Sequence, residues 1–198
     1  MKNIGLVFLV FASIGVNAQG WEKKYDFVDE ASSGLSKIGK NGKIGYADKK
    51  GKEIISIEYN DGLSFSEGYV AVKKDGKWMY FDSTGKAVTE AIFDDASGFQ
   101  NGLAVVSNAG LYGFINNGGQ VLINYQFSNA RSFSEGLAPA ANAKGNWGFI
   151  DKQGNWVIKA QYGFADNFAN HEAKVMKGDK TFYIDKENKM LHEDVSSN

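Results

Sequence analysis

Apolar and polar positions along this chain follow a pattern that repeats every 34 residues. Copies open at Gly34, Gly68, Gly102 and Gly136, and a fifth, less regular copy begins near His171. After the glycine, small or β-branched residues recur at a spacing of two, as in Tyr69-Val70-Ala71-Val72, which predicts a strand. A repeat of this length predicts a supersecondary unit that buries its apolar face against copies of itself.

A turn and a second strand follow in each copy. The turns carry Asn41-Gly42, Asp75-Gly76, Ala109-Gly110 and Lys144-Gly145. Asn-Gly and Asp-Gly are typical of tight β-hairpins, so two of the four copies indicate a hairpin directly. The second strand, as in Trp147-Gly148-Phe149-Ile150, has large apolar residues on both faces. It is therefore expected to be covered on both sides, as the middle strand of its unit.

A glycine turn, a third apolar run and a pair of aromatic residues complete each unit. The pairs, each six residues apart, are Tyr59 and Phe65, Phe93 and Phe99, Phe127 and Phe133, and Tyr162 and Phe168. Helical arrays of tetratricopeptide repeats share the 34-residue period, but several glycines per unit and a spacing of two oppose helices. The predicted fold is all-β, an open solenoid-like stack of antiparallel hairpins or meanders, with propeller-like closure as the alternative.

The chain divides into a predicted leader, a lead-in, the array and a tail. Residues 1–18 have a positive Lys2, an apolar core and the small-residue ending Val16-Asn17-Ala18, which predict a signal peptide cleaved after Ala18. A retained membrane anchor is the alternative, but the apolar core is shorter than the roughly 20 residues that a spanning helix needs. Residues 19–33 form the lead-in, 34–191 the array and 192–198 a polar tail. The expected location is outside the cytoplasm.

The best copy, Phe133 to Gly154, resembles the WG-repeat (KWG) proteins of bacteria. It reads Phe-Ser-Glu-Gly-Leu-Ala and then Gly-Asn-Trp-Gly-Phe-Ile-Asp-Lys-Gln-Gly. The resemblance covers about residues 34 to 191 and implies no shared catalytic residues. The structural signature is Gly45, Trp78, Tyr112, Gly113, Trp147 and Gly148 with Phe65, Phe99, Phe133 and Phe168. The copies with Ile44, Met79 and Thr181-Phe182 depart from the pattern and are expected to pack less regularly.

Recurring aromatic and acidic positions have structural and functional interpretations. Trp78, Tyr112 and Trp147 could form a ladder for sugar rings, although large aromatics in a repeated strand are more often core. Trp156 stands where other copies have Glu53, Ala87 and Val121, so it is the predicted possible ligand contact, with a locally enlarged core as the alternative.

One acidic or amide residue precedes a turn in every copy: Asp48, Asp82, Asn116, Asp151 and Asp185. Local turn hydrogen bonds are favoured over a calcium ladder, because calcium needs six to eight converging oxygens.

Composition argues against several functions. The formal net charge is −1 and Arg131 is the single arginine, so no basic patch indicates nucleic-acid binding. The chain has no cysteine and only two histidines, His171 and His192, and no motif for a nucleophilic serine, a phosphate loop or zinc. Carboxylates such as Asp94-Asp95 could pair for glycoside hydrolysis, but nothing in the sequence motivates that pairing. We therefore predict no catalytic, metal or cofactor residues.

The sequence thus predicts a non-enzymatic repeat module outside the cytoplasm that binds or scaffolds a protein or cell-surface partner. No transmembrane segment is expected after the signal is removed. The alternative is a carbohydrate-binding or carbohydrate-acting protein that uses exposed aromatic residues such as Trp156.

Overall fold

A computed structural model describes residues 20–194. The predicted signal peptide, its cleavage site after Ala18 and residues 195–198 lie outside the described residues. A single turn of 3-10 helix, η1 (Glu22–Lys24), precedes the strands. All remaining regular structure in residues 20–194 is β, so the predicted all-β fold is confirmed.

The strands form five small antiparallel sheets, which we number first to fifth along the chain. The first sheet has β1 (Phe27–Val28), β2 (Leu35–Lys40), β3 (Lys43–Asp48) and β4 (Glu53–Tyr59), and the second has β5 (Asp61–Gly62), β6 (Tyr69–Lys74) and β7 (Lys77–Asp82). The third has β8 (Asp95–Ala96), β9 (Leu103–Asn108), β10 (Leu111–Asn116) and β11 (Val121–Phe127). The fourth has β12 (Asn129–Ala130), β13 (Ala138–Ala141), β14 (Trp147–Ile150) and β15 (Trp156–Tyr162). The fifth has β16 (Phe164–Ala165), β17 (Ala173–Lys177), β18 (Lys180–Ile184) and β19 (Met190–Glu193).

Each sheet is a meander in which a short strand pairs with the strand that follows the repeat glycine. In the first sheet, β1 pairs with β2, so strand pairing begins at Phe27, within the predicted lead-in. Four of the five sheets in residues 20–194 therefore have four strands, where the sequence predicted two or three, and the second sheet has three. A two-residue strand carries too little alternation to be recognised as a strand from its sequence. At the other end, β19 extends to Glu193, beyond the predicted end of the array at Leu191.

The predicted hairpin turns are confirmed in the first three copies. Both turn residues have positive φ, 52° and 71° at Asn41 and Gly42 and 49° and 78° at Ala109 and Gly110. Ala109 is not a typical residue for this conformation, but its backbone N–H donates to Asp94 Oδ2 at 2.7 Å. The fourth copy has a longer turn, in which Asn142 accepts hydrogen bonds from the N–H groups of Lys144 and Asn146.

The glycine after the tryptophan position lies opposite a bulge in the last strand of its sheet. In the third sheet, Tyr112 pairs with Phe127 and Phe114 pairs with Ile123. Gly113 of β10 therefore lies opposite three residues of β11, 124–126. A Cβ on Gly113 would lie 2.6 Å from the Ile123 carbonyl oxygen. A Cβ on Gly45 or on Gly148 would meet the backbone of β4 or of β15 in the same way. The glycine is therefore required by the close approach of the neighbouring backbone.

The second copy, which has Met79 instead of glycine, shows how the unit changes without it. Its last segment forms only isolated bridges, between Trp78 and Phe93 and between Phe81 and Ala87, in place of a continuous strand. The Thr89 hydroxyl accepts a hydrogen bond from the Tyr80 N–H. The expected irregularity therefore occurs in this copy, whereas the first copy, with Ile44 and Gly45, has the same bulge as the third and fourth.

The core of residues 20–194 consists of four hydrophobic clusters, and each lies between two consecutive sheets. The cluster between the third and fourth sheets, for example, combines Phe114 and Ile123 with Phe133 and Ile150. None of the four clusters joins the first sheet to the fifth. The sheets in residues 20–194 are thus packed one on the next in chain order, and each unit is held by its neighbours.

One aromatic contact recurs at all four junctions between sheets. A ring from the third strand of one sheet meets the phenylalanine that precedes the repeat glycine of the next copy. The four pairs, with ring centroids 4.8 to 5.3 Å apart, are Tyr46 and Phe65, Tyr80 and Phe99, Phe114 and Phe133, and Phe149 and Phe168. The tyrosines also donate hydrogen bonds across the junction, from Tyr46 to the Leu63 carbonyl and from Tyr80 to the Ser97 carbonyl.

Hydrogen bonds between the turns before the repeat glycines also join neighbouring copies. The Ser66 hydroxyl donates to the Phe99 carbonyl at 2.6 Å, and Ser32 and Ser134 make the same bond to the next copy. The third copy has Gln100 at the serine position, and there the Asn101 side-chain amide donates to the Phe133 carbonyl instead. Glu67 accepts hydrogen bonds from the N–H groups of Asn101 and Gly102.

The lead-in covers the first sheet, which no other sheet precedes within residues 20–194. In later copies, the turn glycine packs against the preceding sheet, as Gly119 does against Val88 and Thr89. In the first copy, the Trp21 indole packs at the corresponding Gly51. Trp21 therefore replaces part of a missing neighbour.

Replacing Gly113 with alanine is expected to destabilise the chain by about 1–3 kcal/mol, because the added methyl group forces β10 and β11 apart. Unfolding in urea, followed by circular dichroism, measures this change. Gly163→Ala is the control, since a Cβ there would have Met176 Cε as its nearest neighbour, at 3.5 Å. Equal stability of the two variants would contradict the role of Gly113.

Candidate functional site

The aromatic signature residues lie against the clusters between sheets. Trp78 is buried, and Tyr112 and Trp147 are half-buried against neighbouring clusters. Phe65, Phe99, Phe133 and Phe168 are all buried. In these positions, most of the aromatic surface already contacts protein, which leaves little of it to stack on a sugar ring.

Trp156 begins β15 and is the most exposed of the tryptophans in residues 20–194 at 36 % exposure. Its ring meets the edge of Phe127 at 5.7 Å between centroids. The neighbouring Val157 is 50 % exposed, and Leu122 at the corresponding place on β11 is 55 % exposed. Trp156 thus contributes to packing on one side and to a small apolar surface on the other.

The repeated Asp and Asn residues make the local turn bonds that the sequence predicted. In all five copies, Oδ1 accepts from the N–H groups two and four residues later; the five residues are Asp48, Asp82, Asn116, Asp151 and Asp185. The N–H groups of Lys52 and Lys50 lower the pKa of Asp48, and the Thr84 hydroxyl lowers the pKa of Asp82. Across residues 20–194, no group of three or more potential ligand side chains is placed to hold a metal ion.

The two histidines each lie beside a glutamate. His192 Nε2 is 2.9 Å from Glu172 Oε2, and this hydrogen bond raises the pKa of His192. His171 Nδ1 is 3.4 Å from Glu135 Oε2 and is strongly exposed. Neither histidine lines the cleft described next.

A cleft of about 410 Å³ opens where the third, fourth and fifth sheets begin. Its wall comes from the short strands β8 and β12, from the residues that follow them and β16, and from β9 and β10. Its polar lining includes Asp95, Tyr112, Arg131, Asp166 and Asn167. The sequence did not identify this cleft, because it depends on the edges of three sheets that are far apart in the chain.

Arg131 is the cation of the cleft. Its guanidinium carbon lies over the Trp147 ring at 5.3 Å and over the Phe164 ring at 5.1 Å from their centroids. No carboxylate of residues 20–194 approaches the guanidinium within the 4.0 Å of an ion pair, and its buried Nε atom has no hydrogen-bond partner there. The cleft therefore contains a positive charge that is held in place by aromatic rings and is not neutralised by a contacting anion.

Two acidic residues lie in the same wall. Asp95 accepts a hydrogen bond from the Ala96 N–H, and Asp166 accepts one from the Asn167 N–H. The Tyr112 hydroxyl donates to Asp95 Oδ2 at 3.4 Å, while burial and the Asp95 charge raise the pKa of Tyr112. Asn167 Oδ1 is buried and, in the described part of the chain, lacks a partner. The cleft thus presents a donor cation beside carboxylate and amide acceptors.

A comparison between copies could have indicated Arg131. The corresponding residues of the other copies are Asp29, Leu63, Ser97 and Asp166. The side chain at this position therefore varies in charge and size, and Arg131 is also the only arginine of the sequence. A position that varies within an otherwise regular repeat is a place where function can be added to the framework.

The chain belongs to the family of proteins with the WG containing repeat. The sequence profile of this repeat matches residues 44–78, 78–112, 112–142 and 147–180, which is most of the chain. No curated protein sequence is similar enough to be matched.

Solved β-propeller structures are similar to this chain in fold. The Hsv2p protein of Kluyveromyces lactis has a TM-score of 0.53 at 14% identity, over 83% of this chain and 64% of that one. A eukaryotic initiation factor has a TM-score of 0.56 at 12% identity, over 87% of this chain and 54% of that one. This chain thus spans less than two thirds of the length of either. The likeness concerns the fold alone, and the predicted alternative of propeller-like closure is compatible with it.

The only helix in residues 20–194 is three residues long, and no helix there could cross a bilayer.

Proposed function

We propose that this protein is a non-enzymatic, extracytoplasmic binding or scaffold module that engages a protein or cell-surface partner through the cleft at Arg131. The observation that carries this proposal is the contrast between two sets of repeat positions. The repeat positions that pack one sheet on the next have similar residues in successive copies, such as Phe65, Phe99, Phe133 and Phe168. The repeat positions around the cleft have different residues in successive copies, such as Ser97, Arg131 and Asp166.

The chemistry of the cleft supports binding over catalysis. Its polar groups are an arginine, two aspartates, a tyrosine, two serines and amides, without a histidine or lysine that could transfer protons near neutral pH. Membership of the WG-repeat family fits a module defined by its framework. Hydrogen bonds and charge pairs at the sheet edges would provide specificity.

The proposed location follows from the sequence of residues 1–18. Their positive start, apolar core and Val16-Asn17-Ala18 ending have the pattern of a secretory signal. A chain without cysteine needs no disulfide outside the cytoplasm, and here the clusters between sheets supply the cohesion.

Processing after Ala18 is expected to leave Gln19 as the first residue of the exported protein. N-terminal sequencing of protein recovered from outside the cytoplasm measures this directly. Ala18→Arg should block cleavage and leave the precursor, because the peptidase accepts small residues before the cut. Recovery of the whole chain in the cytoplasm, with Met1 or Lys2 as its first residue, would contradict the proposed location.

The binding role predicts that immobilised protein from Gln19 onward retains an envelope component saturably, and that excess free protein releases it. Asp95→Asn with Arg131→Ser should weaken retention, because both changes remove charges from the cleft. Asn129 at the corresponding place in the fourth sheet shows that asparagine keeps the local turn bond. Asp61→Asn with Lys144→Gln is the matched control outside the cleft. Equal retention by both double variants would argue against the cleft, and absence of any saturable retention would argue against the binding role.

Carbohydrate binding through Trp156 is the second candidate, and the 36 % exposure of this indole favours it. An exposed indole can stack on the apolar face of a sugar ring. On this hypothesis, a glycan array should give a signal that Trp156→Ala abolishes without changing the circular dichroism spectrum. Leu122→Ala removes exposed surface without an indole and serves as control. An array without signal would leave only the first candidate.

A further inference from the structure

We infer that the cleft binds a small molecule that combines one carboxylate with neighbouring hydrogen-bond donors, as an acidic sugar or an amino acid does. In this assignment, Arg131 holds the carboxylate, and Asp95 and Asp166 accept hydrogen bonds from hydroxyl or ammonium groups. The inference rests on the proposed binding role and specifies the ligand of the same cleft.

Arg131 is prepared for a planar anion. The guanidinium carbon lies 5.3 Å from the Trp147 ring centroid and 5.1 Å from the Phe164 ring centroid, so the two rings limit where the guanidinium can move. A guanidinium presents its N–H groups in a fixed fork that matches the two oxygens of a carboxylate. Orientation before binding reduces the entropy lost when the ligand binds.

Several lysines of residues 20–194 have a carboxylate partner, whereas Arg131 has none. Lys37 pairs with Asp29, Lys77 with Asp94 and Lys174 with Asp194. Within residues 20–194, Arg131 has no such ion pair, although Asp95 and Asp166 lie in the same wall. An external anion can therefore bind the guanidinium without first displacing a carboxylate of the protein.

The acceptor oxygens in the wall of the cleft require hydrogen-bond donors on the ligand besides its carboxylate. One oxygen of Asp95 and one of Asp166 accept a backbone N–H, which leaves acceptor capacity on both carboxylates. The Arg131 Nε and Asn167 Oδ1 atoms are buried without a partner in residues 20–194, as in a site that a bound molecule completes. A ligand with anionic groups alone would be repelled by the two aspartates. A ligand with a carboxylate and donors matches the whole wall.

The size of the cleft fits a molecule of this class. Its volume of about 410 Å³ lies toward the small end of the range for ligand pockets, roughly 300–1,000 Å³. A monosaccharide or an amino acid can therefore enter it, and the open mouth leaves room for such a group at the end of a longer chain.

The test uses the Nε–H resonance of Arg131, which is the single arginine Nε signal in a proton–nitrogen correlation spectrum of ¹⁵N-labelled protein. Two matched pairs of probes are titrated: D-glucuronate with D-glucose, and L-threonine with L-threoninamide. We expect at least one carboxylate probe to shift the signal saturably, with a dissociation constant below about 1 mM, and its neutral or amide counterpart to leave the signal unchanged. The pair that responds identifies acidic sugar or amino acid as the source of the carboxylate.

Variants separate binding at Arg131 from general charge effects. In calorimetry, Arg131→Gln should raise the dissociation constant of the responding probe by about tenfold or more. Arg131→Lys should raise it by less, and Lys144→Gln should leave it unchanged. The inference is overturned if no carboxylate probe binds, if Arg131→Gln binds as tightly as the original protein, or if inorganic phosphate alone shifts the signal. Should an envelope component still be retained in that case, the binding role stands and only the ligand class fails.

Discussion

The packing of one sheet on the next is the interaction on which this structure depends. A four-stranded meander of about 34 residues cannot enclose a core alone, so its large apolar side chains must be covered by a neighbour. The recurring contact between Phe114 and Phe133, and its three counterparts, covers them at every junction. Each aromatic pair connects the middle of one sheet to the segment that starts the next, which also fixes the spacing of the sheets.

Close approach within a sheet makes that packing possible. Gly113 lets the bulged strand β11 lie against β10, so the large side chains of the middle strand can point toward the junction. Where Met79 replaces the glycine, the continuous last strand is lost, but the junction still holds through Tyr80 and Phe99. The contact between sheets therefore tolerates change within a sheet. The lead-in follows the same constraint, because Trp21 covers a surface that another sheet would otherwise cover.

Much of this framework could be predicted from the sequence, because it depends on short-range rules repeated several times. The hairpins follow from Asn41-Gly42 and Asp75-Gly76, and the turn bonds of Asp48 and Asp151 follow from one residue type before a glycine turn. The short strands and the cleft could not be predicted in this way. β1 has only two residues, and the cleft brings Asp95, Arg131 and Asp166 together from three sheets, which no local pattern encodes.

The separation between packing positions and cleft positions explains how such a chain can acquire a function without losing its fold. A substitution at Phe133 would remove a buried contact between two sheets, whereas a substitution at Arg131 changes what the cleft offers and removes two contacts with aromatic rings. The corresponding Leu63, Ser97 and Asp166 show that the framework accepts apolar, neutral and acidic side chains at that place. Arg131 is therefore not required by the repeat. Its guanidinium lies over Trp147 and Phe164 and makes no ion pair within residues 20–194, so its charge is also available to a ligand.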